Sequence, residues 1–285
     1  MYKIVTKKAL NSAVTQMEIQ APLVAKKAKA GQFIILRVDD DGERIPLTVA
    51  GCDEKKGLVK IIFQVVGATT ERLNRKNQGE YIQDFVGPLG VATHTDGIQK
   101  VCIVGGGVGC AIAMPIAQEF HKLGANVTSI IGFRNKDIVI LEDEFKACSN
   151  RLIVMTDDGS YGKHGNVTLP LKELLEADEK FDMIITIGPL VMMKYVVATA
   201  KPFGIPVTVS MNPIMIDGTG MCGGCRLTLI KDGKRETKFA CVDGPDFNGY
   251  EVDFDEAISR GKMYFDFERQ AHKNECNLFK KGGDK

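Results

Sequence analysis

Apolar and polar residues alternate through the first third of the chain, and continuous apolar blocks take over after it. Residues 2–5, 13–19 and 32–38 place apolar side chains at roughly every second position, and 58–66 is an apolar segment that follows the turn-rich stretch 51–57. A period of two marks a strand with one buried face. Strands this short and this frequent predict an antiparallel β-barrel over residues 1–98. One helix is expected at 69–77, where Thr69 or Thr70 offers an N-capping hydroxyl.

Near Gln99 the pattern changes. Residues 100–104 form a continuous apolar strand, followed by a glycine turn and a helical stretch at 111–123. A strand at 126–131, a helix near 141–147 and strands at 151–155, 183–187 and 207–211 continue the series. Strands alternating with helices imply a doubly wound parallel sheet, here over 99–212. Residues 213–285 are left as a small C-terminal module whose end, 280–285, reads as a frayed tail. The fold class is therefore α/β plus all-β, without internal repeats or a low-complexity linker.

Composition narrows the function by exclusion. A formal net charge of +1 supplies no general attraction to nucleic acid or an anionic membrane. Residues 1–8 hold no apolar core of signal-peptide length. The longest apolar run, 101–117, is interrupted by Gly105, Gly106, Gly107 and Gly109, which argues against a membrane helix. A cytoplasmic protein is expected. Among eight cysteines, Cys52, Cys102, Cys110, Cys148 and Cys276 are scattered, and disulfides are not expected without a secretion signal.

The remaining three, Cys222, Cys225 and Cys241, cluster among glycines. Asp217 stands five residues before Cys222, so the run reads Asp-x4-Cys-x2-Cys-x15-Cys. Plant-type [2Fe–2S] sites use Cys-x4-Cys-x2-Cys and a distant fourth cysteine. A [2Fe–2S] cluster with Asp217 as an oxygen ligand fits the spacing best. A structural zinc site on the same four residues and a redox dithiol are the alternatives. The dithiol would leave Cys241 without a role.

Other motifs are weaker when taken singly. Gly105-Gly106-Gly107-Val108-Gly109 lies between a strand and a helix, where backbone and helix N-terminus suit a pyrophosphate. The strict dinucleotide fingerprint fails because its third glycine would fall at Cys110. A plain tight turn would look the same. Arg134 can reach an adenosine phosphate or simply be solvated. Arg44 and Thr48, near the end of the third strand, share a strand face and can serve a phosphate and a flavin ring edge, although a surface arginine reads identically. Gly67-Ala68-Thr69-Thr70 is a second possible phosphate cradle or a capped helix start.

These motifs, in this order, resemble the ferredoxin–NADP reductase superfamily. Within it they resemble the branch of electron-transfer subunits with a C-terminal cluster. That branch includes the dihydroorotate dehydrogenase electron-transfer subunit and the small subunit of NADH-dependent reduced ferredoxin:NADP oxidoreductase, also known as sulfide dehydrogenase. The resemblance runs from residue 2 to about 247. It implies an FAD-binding barrel over 1–98, an NAD(P)-binding domain over 99–212 and a [2Fe–2S] module from 213. The flavin motif lands on Arg44, Pro46, Leu47 and Thr48, with Leu47 near the usual aromatic, and the phosphate loop on Gly67, Thr69 and Thr70. Gly87-Pro88-Leu89-Gly90 matches the turn that closes the barrel. The nicotinamide-domain glycines are Gly105, Gly106, Gly107 and Gly109, with later loops at Asp157, Asp158, Gly188 and Pro189. Asp157 or Asp158 would contact ribose, if neither is only a surface turn residue.

The resemblance also implies a function. NADH, FAD and the cluster would pass electrons to a larger flavin and iron–sulfur subunit, with ferredoxin reached through that heterodimeric, electron-bifurcating complex. Dihydroorotate-type subunits carry four cysteines, so Asp217 points toward the ferredoxin:NADP oxidoreductase type. A zinc-stabilised interaction module is the reading from another class.

Overall fold

The computed structural model describes residues 1–263 and 269–270. The tail expected at 280–285, and Cys276 with it, lies outside the described residues. Residues up to Leu89 form two antiparallel sheets. One orders Gly51–Asp53, Leu58–Gln64, Val14–Gln20, Tyr2–Ala9 and Tyr81–Ile82; the other orders Arg44–Thr48, Phe33–Arg37 and Asp84–Leu89. Alternation explains both. Ile4, Met17, Ile19 and Ile61 of the larger sheet share a core with Ile34, Leu36 and Phe85 of the smaller. The ladders form two sheets packed around one shared core.

Three local expectations need correction. Arg44–Thr48 is a strand of its own, paired antiparallel with Phe33–Arg37, because the turn at residues 38–43 reverses the chain. Gly87, Pro88 and Leu89 are not a turn but the end of a strand, and only Gly90 turns, at φ +74°. The helix spans Ala68–Arg75 and its N-cap is Gly67. Thr70 reaches back from the first turn, its hydroxyl accepting from Gly67 N at 3.0 Å.

The second half is a seven-stranded sheet. Its order is Lys163–His164, Arg151–Thr156, Asn126–Phe133, Lys100–Gly106, Met183–Ile187, Val207–Ser210 and Asp246–Asn248. Every pairing but the last is parallel. Order reverses on either side of Lys100–Gly106, and in open sheets ligands bind at such a switch point. Helices Cys110–Lys122 and Glu142–Cys148 cover one face, and Thr168–Glu176 and Leu190–Ala200 the other.

The final strand matters most for the site. The chain leaves the sheet at Ser210, carries the cysteine segment, and returns so that Asp246 pairs directly with Ser210. Between those points Arg226–Lys231 and Lys234–Phe239 form a polar hairpin. Cys225, Leu227, Leu229, Ala240 and Cys241 join the same apolar core as Val207, Val209 and Val196. Among the described residues no helix is long and apolar enough to cross a membrane.

Candidate cofactor sites

The strand Arg44–Thr48 faces a cavity at the junction of the sheets. Pro46, Leu47 and Thr48 line it together with Phe33, Ile112 from the helix after the glycine turn, and the stretch Ser210, Met211, Asn212 and Met215. Arg44 stands at the exposed end of the same strand. Ile112, Ser210, Met211 and Met215 escaped the sequence reading. The available signal was their position beyond the carboxyl ends of parallel strands, where ligand crevices form. Thr69 is buried and donates to Glu43 at 3.3 Å, so of the pair it is Thr70 that organises the helix start.

The nucleotide turn owes its glycines to close packing as well as to any ligand. A methyl added to Gly109 would lie 2.5 Å from the Ile187 carbonyl oxygen and 2.8 Å from Gly188 Cα. Gly107, at φ +56°, has open space where its Cβ would be. This turn and the loop Gly188-Pro189 therefore touch, and Pro189 caps helix Leu190–Ala200. Next along the same sheet edge, Asp157 N donates to Phe133 O at 3.0 Å and Asp158 N to Arg134 O at 3.2 Å. Arg134, Asp157 and Asp158 are thereby brought side by side. Asp158 is held below the usual carboxylate range by hydrogen bonds from the Ser160 hydroxyl and backbone.

The cysteine segment resolves into two pairs. Cys225 Sγ and Cys241 Sγ lie 3.1 Å apart in the core, and Cys222 Sγ lies 3.3 Å from Asp217 Oδ1 in the exposed loop. Met221 N and Cys222 N donate to Asp217 Oδ2 at 2.9 and 3.1 Å, and Thr219 N donates to Oδ1 at 3.2 Å. Desolvation opposes ionisation of Asp217, but the hydrogen bonds from Thr219 and Cys222 outweigh it and hold the carboxyl at about 2. It is an ionised oxygen donor at neutral pH. Burial, with Cys225 alongside, pushes the Cys241 thiol up to about 12, so binding a metal there must displace a proton. Among the described residues no three His, Cys, Asp or Glu side chains converge as a mononuclear metal site requires.

Asp246, which no sequence motif marks, is a half-buried acid in the same region. Its Oδ2 accepts from Thr93 Oγ at 2.6 Å, while Oδ1 is shielded and without a partner among the described residues. Burial raises its pKa. A raised carboxyl stabilises the fold below the ordinary carboxylate pKa and loses that contribution as pH climbs through the shifted value. Asp246→Asn should therefore gain on the parent as pH rises above the ordinary carboxylate range. Parallel melting curves that do not diverge with pH would refute this.

Three comparisons bear on these sites. Residues 212–253 match the family model for the iron–sulfur cluster binding domain of dihydroorotate dehydrogenase B. A Thermotoga maritima protein named as a homolog of the dihydroorotate dehydrogenase B (NAD(+)) electron transfer subunit is 45% identical, over 94% of this chain and 93% of its own. The chain belongs to the dihydroorotate dehydrogenase B electron transfer subunit family. An uncharacterised Clostridium beijerinckii protein from the adh 3′ region is 49% identical over 93% of this chain and 90% of its own. A solved chain from work on flavin-based electron bifurcation by NADH-dependent reduced ferredoxin–NADP oxidoreductase is 42% identical, with TM-score 0.89 and 98% of both chains covered. As a member of this family the chain is an oxidoreductase subunit of the ferredoxin–NADP reductase type, as the motifs had implied. Flavin, iron–sulfur and nicotinamide cofactors go with that family.

Proposed function

We propose that this chain passes electrons between NAD(H), FAD and a [2Fe–2S] cluster and delivers them to a larger partner subunit, as the small subunit of a ferredoxin:NADP oxidoreductase complex. The pairing of donors carries the reading. Each iron of a two-iron cluster takes two protein ligands, and Asp217 with Cys222 and Cys225 with Cys241 form two such pairs. A structural zinc would draw four donors to one point, which is not the arrangement found. The oxygen donor at 217 favours this complex over the dihydroorotate dehydrogenase type, and the identity of the co-purifying large subunit decides between them.

The bound cofactors supply the chemistry, hydride transfer from NADH to flavin and one-electron relay through the cluster. The chain's part is to hold them in place. Pro46, Leu47 and Thr48 would edge the flavin ring, with Phe33, Ile112, Met211 and Met215 excluding water from it. Arg44, Gly67 and Thr70 would serve the flavin phosphates. The turn Gly105–Gly109, backed by the N-terminus of helix Cys110–Lys122, would take the dinucleotide pyrophosphate, with Gly188 and Pro189 across from it. Arg134, Asp157 and Asp158 would meet the adenosine ribose. Hydride transfer needs no general base, and none is assigned.

Metal, sulfide and flavin analysis of the purified chain, with its visible spectrum, tests the reading. A brown-yellow protein with iron and sulfide in equal amounts is expected, and a colourless zinc protein would sink it. Asp217→Cys should keep the cluster but change its spectrum. An unchanged spectrum would take Asp217 off the iron.

A further inference from the structure

The Gly223-Gly224 turn between the first two cysteines is gripped from outside by two guanidinium groups. Arg226 Nη1 donates to Gly223 O at 3.3 Å, and Arg260 Nη2 donates to Gly224 O at 3.5 Å. Arg260 lies in helix Phe254–Gly261, beyond the matched residues 212–253. The hairpin delivers that helix. Ile230 N donates to Glu251 O at 2.6 Å, Asp253 N to Thr228 O at 3.0 Å, and Arg235 pairs with Asp253 at 3.2 Å and Glu256 at 2.5 Å.

A peptide unit is rigid and planar, so fixing a carbonyl fixes the N–H on its other side. Holding Gly223 O outward turns Gly224 N–H toward Cys222 Sγ, and that contact is present at 3.4 Å. Holding Gly224 O outward turns the Cys225 N–H away from Arg260 in the same manner. N–H groups aimed at ligand sulfur, and positive charge nearby, both favour the more negative, reduced state of an iron–sulfur centre.

We propose that Arg226 and Arg260 set the reduction potential of the cluster held by Asp217, Cys222, Cys225 and Cys241, keeping it more positive than the ligands alone would. The inference rests on the cluster reading above. Neither arginine is a ligand; both are positioning residues acting through the turn. Arg226 is exposed and Arg260 only partly so, and solvent and salt screen exposed charge more strongly. Arg260 should therefore have the larger effect.

The test is an anaerobic dithionite titration of the full cluster-loaded chain, followed by electron paramagnetic resonance. Reduction adds one electron from dithionite to the cluster and breaks no bond. At the parent's midpoint, Arg260→Gln should lower the ratio of reduced to oxidised cluster by about threefold or more, with a smaller fall for Arg226→Gln. Arg260→Lys should recover most of the loss because it keeps the charge. A cluster-loaded Arg260→Gln protein with the parent's midpoint overturns the proposal. If that variant loses its cluster, Arg226→Gln decides alone, and an unshifted midpoint there overturns it equally. A parent chain with no cluster signal at all would instead remove the cluster reading, and this inference with it.

Discussion

Cys241→Ser should strip the protein of its iron while leaving its flavin in place. Cys241 is buried beside Cys225 at 3.1 Å, in the core shared with the nucleotide sheet. Its partner donors, Asp217 and Cys222, lie in a separate, exposed loop. Losing one thiolate leaves one iron with a single good protein ligand, because a serine hydroxyl stays protonated at neutral pH where the Asp217 carboxyl is already ionised. Iron content and the paramagnetic signal should fall to background. NADH-driven reduction of a small dye that accepts electrons at the flavin should continue, because the cavity proposed for the flavin is lined by none of the four ligand residues. Delivery to a one-electron protein acceptor should drop by roughly 100-fold or more, the loss expected when a relay is removed rather than retuned. Cys52→Ser is the control, since Cys52 is exposed on the edge strand Gly51–Asp53. Iron retained by Cys241→Ser, or lost by Cys52→Ser, would contradict the assignment.

Gly109→Ala should produce the largest loss of stability of any single methyl added to the nucleotide turn. Gly109 sits at φ −58° and ψ −22°, so alanine meets no backbone penalty there. The cost is steric alone. The new methyl would stand 2.5 Å from Ile187 O, and backbone on a neighbouring central strand cannot swing aside as a side chain can. Overpacking of this kind costs about 2–3 kcal/mol, and a melting temperature lower by roughly 5–10 °C is expected. Gly107→Ala reverses the logic: its surroundings are open, and only its left-handed backbone, at φ +56°, resists, at about 1–2 kcal/mol. Because Gly109 and Gly188 touch, the first variant should also weaken NADH binding by prising the two loops apart. Equal melting temperatures for the two variants would show that the contact bears no load.

Much of this is legible in the sequence, and the reasons are local. Lys100–Gly106 is a nearly continuous apolar strand, and Asn126–Phe133 is buried over most of its length, because both faces of a parallel sheet are covered. The cysteine spacing carries its own chemistry. Other parts had no local signature. Asp246–Asn248 is three residues with no apolar period, and it is a strand only because Val207–Ser210 offers it an open edge. The helix Thr168–Glu176 has its cue in Pro170, Leu171, Leu174 and Leu175, all buried, a pattern too short to mark a helix by itself. The resemblance implies a turn at Gly87 and Pro88, but they end a strand beside Phe33–Arg37. Arg260 is unremarkable in sequence; only the hairpin that carries its helix back over Gly224 gives it a task.

The return of the chain to its own sheet has a mechanical consequence. A carrier that ferries charge by swinging needs a hinge, with at least one end free to travel. Here the two ends of the cysteine segment, Ser210 and Asp246, face each other across one rung of a ladder, so a swing would have to tear the sheet that anchors it. The segment is a fixed pier rather than a moving ferry. On the reading proposed above, electrons crossing it do not wait for the segment itself to travel.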